Sequence, residues 1–332
     1  MKKFFLALFV LAAAAVFVAP ALATETWDPH LRGINEGLAA GALPPPGVYL
    51  IHSSQFAPAY HQYGNLFNAS QATGGGGIAP FPSGKINRDL SLFAYVDIPV
   101  LVWVPGCKFL GADYGMAIAQ PFDYTNLRIK GATAAIAGFT AQNNTGAQWG
   151  AFNTILVPYE LSWRLPCDFR VKTGLGIALN DPTNSAATAT TLGPGIFAVA
   201  GNGTYTFEPT LGLSWLHAGW NVSADFHYAF QTKDTGTDYQ SGQQLAVDYT
   251  VAYTWGKWTI GVGAGQETQT TTDTWKGVNL PDSKANAWTV GPIVGYNFGP
   301  LSMEFIYNFG VYINNDVGGD WLVLRMVIPL WK

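Results

Sequence analysis

From Val48 to the end of the chain, apolar and polar side chains alternate with a period of two. The pattern is plainest in Gly319–Trp331. Its even positions, Leu322, Leu324, Met326, Ile328 and Leu330, are all apolar, while its odd positions include Arg325. Successive side chains of a strand point to opposite faces, so this stretch predicts a strand with lipid on one side and a polar interior on the other. A weaker first strand is expected at Val48–Ala57. Strand two sets Leu92, Ala94, Val96, Ile98, Val100 and Val102 outward against Asp97, and strand three sets Tyr114, Met116, Ile118 and Phe122 against Asp113 and Asp123. Strand four places Ile155, Val157, Tyr159, Leu161 and Trp163 outside and Glu160 inside, and strand five places Val171, Leu175 and Ile177 against Arg170 and Lys172. Strands six to eleven repeat the pattern around Glu208, Asp225 with His227, Asp248, Glu267, Gly291 with Gly295, and Glu304.

The connections alternate as well. Short turns fall near Pro105-Gly106, Leu165-Pro166, His217-Ala218, Gly256-Lys257 and Gly299-Pro300, and longer polar or glycine-rich loops fall between them. Short periplasmic turns, longer extracellular loops and about twelve strands predict an all-β fold, a transmembrane antiparallel barrel with both termini in the periplasm. Trp103, Trp163, Trp215, Trp220, Trp255, Trp258 and Phe298 flank the short turns, as an interfacial aromatic girdle requires. A soluble β-sandwich also alternates, but its strands are shorter, about 5–6 residues, than the 9–11 that cross a bilayer at a tilt.

Composition supports this. Only 11% of residues are charged while 48% are hydrophobic, where one face of each strand must be apolar and the other need not be. Residues 1–23 read as a secretory signal peptide, with Lys2 and Lys3 before an apolar run and Ala21-Leu22-Ala23 as a cleavage site. Losing the two lysines takes the formal charge from −4 to about −6, which offers nothing to nucleic acid. Residues 24–46 do not alternate and form a periplasmic arm or a plug, with a short helix expected over Ile34–Ala42. Pro44-Pro45-Pro46 ends it, and residues 47–332 form the barrel. The expected partners are the lipid bilayer, a small-molecule solute and, during folding, the barrel assembly machinery of a Gram-negative cell.

The stretch Gly37-Leu38-Ala39-Ala40-Gly41-Ala42-Leu43-Pro44-Pro45-Pro46-Gly47-Val48-Tyr49 resembles the start of mature proteins of the MetA-pathway of phenol degradation group. So do Val102-Trp103-Val104-Pro105 and Lys108-Phe109-Leu110-Gly111. The resemblance implies an exported barrel linked to aromatic-compound catabolism and acting as an outer-membrane channel. It carries over no binding or catalytic residue.

Charges at mid-depth on the lipid face cost about 2–4 kcal/mol, so Asp97, Asp113, Glu160, Arg170, Lys172, Glu208, Asp225, His227, Asp248, Glu267, Glu304 and Arg325 are assigned to the lumen. There they would either pair, as Glu208 with Arg170 or Lys172, and close the interior, or line a wet path and set its selectivity. Gly261, Gly263, Gly265, Gly291 and Gly295 would leave space in that lumen, and a first loop with Phe67, Gly74–Gly77 and Phe81 would cover its mouth. Pro99, Pro158, Pro209 and Pro292 mark bulges or a side opening. No cofactor motif and no metal-ligand cluster is visible among the five histidines. His52 and Ser54 share a strand face, which keeps an outer-membrane lipase as a remote alternative to a channel or a structural or adhesive barrel. Cys107 and Cys167, each after a proline in a short turn, are candidates for a disulfide across the periplasmic rim.

Overall fold

The computed structural model describes residues 27–63, 87–133, 144–185, 191–193, 196–197, 199–279 and 283–331. The signal peptide and the loop residues Phe67, Gly74–Gly77 and Phe81 lie outside them. Twelve antiparallel staves form a closed barrel. They are β1 (Gly47–Tyr63), β2 (Asn87–Val104), β3 (Ala112–Ala119 and Phe122–Thr133), β4 (Asn144–Ala151 and Ile155–Arg164), β5 (Phe169–Ala178) and β6 (Thr206–His217). The second half comprises β7 (Trp220–Gln231), β8 (Gln244–Trp255), β9 (Trp258–Gln269), β10 (Asn286–Asn297), β11 (Ser302–Asn314) and β12 (Trp321–Trp331). Each pairs with its neighbours in sequence, and β1 closes the circle by pairing with β2 on one side and β12 on the other, Ser53 opposite Arg325.

The outer surface is apolar where lipid must lie. Trp220, Trp255, Trp258 and Phe298 stand exposed beside the short turns, and Ile260, Val262, Phe305, Phe309 and Val311 stand exposed between the girdles. From β5 to β12 the face assignment follows the alternation of the sequence. In β2 it is inverted: Ala94, Val96, Ile98 and Val102 are buried in the interior, while Phe93, Leu101 and Trp103 face outward. Both faces of β2 are apolar, so period alone could not tell them apart, and the charge on Asp97 pointed the wrong way.

β4 changes face partway. Its register against β3 shifts between Gly115 and Ala117, and against β5 between Leu156 and Tyr159. The extra residue lies at Pro158, whose missing amide breaks the ladder. Ile155 and Val157 therefore point inward and Tyr159 outward. Pro209 and Pro292 sit in continuous register without a shift.

The wall is also interrupted. Gln120-Pro121 breaks β3 and Phe152–Thr154 breaks β4. Above the break, Asn144–Ala151 pairs with Phe122–Thr133 but has no barrel strand on its other side among the described residues. Chain beyond β5 folds across instead: Thr183 N donates to Ala151 O at 2.9 Å, and Asn153 Nδ2 donates to Leu179 O at 2.5 Å and Asn202 O at 2.8 Å.

Cys107 and Cys167 are both free and exposed. They open β3 and β5, with β4 between them. Staves lie about 4.8 Å apart, so two spacings exceed the Cα separation of about 7 Å that a disulfide spans. Alkylation of unreduced folded protein should therefore add two adducts by mass spectrometry; an unmodified pair would show that the rim closes the bond.

Candidate functional site

Residues Trp27–Pro44 lie inside the barrel. They form successive tight turns, such as Glu36 N to Gly33 O at 3.1 Å and Ala42 N to Ala39 O at 2.9 Å, rather than the expected helix. The reason lies in where their amides go. Gly33 N and Asn35 N donate to the Asp248 carboxylate at 2.6 and 2.9 Å, Gly37 N to Thr250 Oγ1 at 2.8 Å, and Gly41 N to Ser214 Oγ at 2.7 Å. A helix would need those donors for itself. Gly33 and Gly37, with φ of 70° and 87°, supply the left-handed turns that this path requires.

Barrel glycines admit the plug. A Cβ on Gly263 would lie 2.1 Å from Glu36 Oε2, and one on Gly212 would lie 2.0 Å from Ala40 O. A Cβ on Gly291 would instead strike the Tyr307 carbonyl of the neighbouring stave at 1.6 Å. The glycines of β9 and β10 thus serve close approach of other chain segments and do not leave the free space expected of them.

Three polar clusters tie the plug to the wall. Arg325, wholly buried, donates from Nη1 to Glu304 Oε2 at 2.7 Å and to the plug carbonyl Glu36 O at 2.5 Å, and from Nη2 to Ile34 O. Arg32 meets Asp316 at 2.7 Å, Glu267 at 3.4 Å and Asp28 at 3.5 Å. His30 of the plug stacks on His227 with ring centroids 3.9 Å apart, among Glu208, Asp225 and Asp248. Asn35 Nδ2 sits 3.2 Å from both Asp225 Oδ2 and His227 Nε2 and donates to the carboxylate, the stronger acceptor. On the plug, outside the spanning strands, burial and then the nearby Asp248 carboxylate push Glu36 up to about 9. Its carboxyl is therefore held protonated at neutral pH while it accepts from Asn308 Nδ2 at 3.0 Å.

Of the residues assigned to the lumen, Glu208, Asp225, His227 and Asp248 come together around His30, Glu267 joins Arg32, and Glu304 joins Arg325. Glu160 pairs with Lys172 at 2.5 Å, so Lys172 does not pair with Glu208, which the two histidines take instead. Arg170 stands at the short-turn end of β5, where a Cβ on Gly41 would meet its carbonyl at 2.4 Å. Asp113 is at the rim with Lys108 at 2.9 Å and the exposed Arg164 at 3.8 Å. Asp97 is not in the lumen. It lies on the outward face of β2, paired in register with Ser54 and with Phe122, whose side chain is exposed. Its Oδ1 is satisfied there by Ser54 Oγ at 2.9 Å, His52 Nε2 at 3.0 Å and Tyr95 OH at 3.2 Å. The carboxylate stands between the serine and the histidine. A serine hydrolase needs the imidazole in that middle position.

Sequence reasoning missed His30, Arg32 and Glu36, because a segment without alternation gives no face to assign. It also missed the space that the plug leaves on one side. Between the plug and the wall of β1–β6 remains a cavity of about 470 Å³. Val96, Ile98, Val100, Val102, Ala117, Ala119, Ile155 and Val157 form its wall, and Leu31, Ile34, Leu38 and Leu43 of the plug face them. Glu160, Lys172, Glu208, Asp225, His227 and Arg325 give it a polar margin, and Pro121 and Phe152 bound it where the ladder is broken. An apolar chamber of this size with a few polar groups is the usual form of a small-molecule site.

A family model described as "Putative MetA-pathway of phenol degradation" matches residues 67–321. The match includes the Val102–Gly111 stretch but begins after Gly37–Tyr49. The fold is similar to the crystal structure of the COG4313 outer membrane channel from Pseudomonas putida F1, with a TM-score of 0.59 and 12% identity. That alignment covers 87% of this chain and 97% of that one. A Pseudomonas aeruginosa FadL homologue aligns at a TM-score of 0.36 and 11% identity over 85% of this chain and 90% of its own. No curated protein matches the sequence. The fold is that of a bacterial outer-membrane β-barrel.

Proposed function

The chain belongs to the MetA-pathway of phenol degradation family, and from that premise we propose that it is a passive outer-membrane channel for small, mostly apolar solutes, aromatic ones foremost. The observation that carries this reading is the asymmetry of the lumen. On the β7–β12 side the wall is charged and its charges are spent on the plug. On the β2–β4 side the wall is apolar and faces a chamber of about 470 Å³ that the plug leaves open beside it. An open aqueous pore would not need apolar staves on its inner face, whereas a ring-shaped solute gains from leaving water there.

The solute enters past the outer loops, rests between the plug and the apolar wall, and leaves where β3 and β4 are broken. The side exit is favoured by the position of Pro121 and Phe152 at the chamber's edge. The protein performs no chemistry on its cargo, and small aromatics are inferred from the family's description. The plug's many hydrogen bonds favour the rival reading of a closed structural barrel.

Uptake separates the two. Deleting the protein should slow growth on a dilute aromatic carbon source and matter little at high concentration. Liposomes containing the purified protein should admit the same aromatics faster than a sugar. Unchanged growth together with unchanged liposome flux would leave the structural reading.

A further inference from the structure

The His30 cluster does more than a hydrogen-bonded tether requires. His30 Nε2 lies 3.3 Å from Asp248 Oδ2, and His227 Nε2 lies 3.3 Å from Asp225 Oδ2. Each ring thus has a carboxylate near Nε2, and at His227 the Asn35 amide nitrogen lies as close, at 3.2 Å. The other nitrogens both turn to one atom: His30 Nδ1 and His227 Nδ1 lie 3.5 and 2.7 Å from Glu208 Oε1. In neutral rings with hydrogen at Nε2, both Nδ1 atoms carry lone pairs. With both rings in that form, three acceptors converge on one point.

A hydrogen on His227 Nδ1 would satisfy its 2.7 Å contact with Glu208 but leave His30 Nδ1 facing the same oxygen without a donor, and protonating both Nδ1 atoms while each Nε2 keeps its hydrogen makes both rings cationic. Two imidazolium rings stacked at 3.9 Å and buried would repel at close range, out of water. A single divalent ion satisfies the same three atoms and leaves both rings neutral. The arrangement around them is the one metal-binding histidines use, each donating its far N–H to a carboxylate that fixes the tautomer and aims the lone pair. The three ligand atoms lie within 4.8 Å of one another. Glu208 and both histidines also border the chamber, which leaves a side for a further ligand. Two imidazoles and one carboxylate suit zinc and its neighbours rather than magnesium or calcium. No local pattern marks this set, since His30, Glu208 and His227 are far apart in the chain and show no ligand spacing.

We propose that His30, His227 and Glu208 bind one divalent transition-metal ion of the zinc class, which staples the plug to β6 and β7. His30 comes from the plug and the other two ligands from the wall, so the ion joins two segments that nothing covalent joins at that depth. The binding claim stands apart from the transport reading; only the ion's effect on passage rests on it.

The test uses untagged, metal-stripped full-length mature protein in detergent, titrated with Zn²⁺ in a calorimeter. One saturable ion per chain is expected. Glu208→Gln and His30→Ala should each weaken binding by more than about 100-fold, and Asp248→Asn, which touches no metal, by about 10–100-fold. His217→Ala, an exposed turn histidine, should change nothing. Where a variant fails the heat-modifiability check for a folded barrel, the wild type decides alone. Its Co²⁺ form should show the intense visible bands of a four- or five-coordinate nitrogen and oxygen site. Absence of saturable binding, binding indifferent to Glu208→Gln, or the weak spectrum of six-coordinate Co²⁺ would each overturn the site. Faster flux of aromatics after chelation would add the gating role, and unchanged flux would refute that role while leaving the site in place.

Discussion

Replacing Arg325 by alanine is expected to free the plug and raise ion conductance several-fold. The guanidinium is completely buried and serves three masters: Glu304 of β11, Ser53 of β1 through Nε at 3.4 Å, and the plug carbonyls of Ile34 and Glu36. Removing it strands a carboxylate and two carbonyls away from water. Breaking a buried pair by deleting one partner costs about 3–5 kcal/mol, and each 1.4 kcal/mol is about a factor of ten, so the docked plug loses about two to three and a half powers of ten over the undocked one. Lysine should not rescue, because a single ammonium cannot present the planar fork that reaches carboxylate and carbonyls together. The double change Arg325→Met with Glu304→Gln should recover part of the docking, since the orphaned charge is then gone. Planar-bilayer recordings read the conductance, and trypsin reads the plug directly, because Arg32 becomes a cleavage site once it leaves the lumen. Wild-type conductance and a protected Arg32 in Arg325→Ala would show that the plug is held elsewhere.

The fold was legible because lipid imposes a rule on every stave: one residue in two must be apolar. That rule located all twelve strands, and on β5–β12 it also chose the correct face. It failed on β2 and in the first part of β4, and it failed for one reason. The rule presumes a polar lumen. Where the interior wall is itself apolar, as at Val96, Ile98, Val100 and Val157, both faces read alike and a single charge such as Asp97 decides the parity wrongly. Pro158 compounded this, because an extra residue flips the faces without leaving any mark on the period. The stretch that defeats the pattern is thus the stretch that lines the chamber. The plug was hidden for a different reason. Its conformation is set by donors and acceptors on the wall, Asp248, Ser214 and Arg325 among them, which are remote in sequence and give no local period. The glycines of β9 show the same thing from the wall side: the sequence announces missing bulk, and only the fold shows that Glu36 occupies it.

The inverted faces lead to the sharpest test of the chamber, a pair of neighbouring substitutions on β3. Ala119 is buried and lines the chamber, whereas Ile118, the preceding residue, is 44% exposed on the lipid face. Ala119→Trp should place an indole into the space that a solute would use. The indole takes volume that the solute would fill, so occupancy of the chamber should fall by about tenfold or more, about 1.4 kcal/mol or more of lost binding. Flux of a small aromatic into liposomes should fall accordingly. Ile118→Trp introduces the same side chain one residue away, among lipid tails and beside aromatics already present on that surface, and should leave flux unchanged. Both proteins should still shift on a gel upon boiling, since the chamber can take the ring and the lipid face is indifferent to it. If the two variants slow flux equally, the effect belongs to the stability of β3 and not to the chamber. If Ile118→Trp alone slows it, the solute travels along the outer face, and the cavity between plug and wall is not its path.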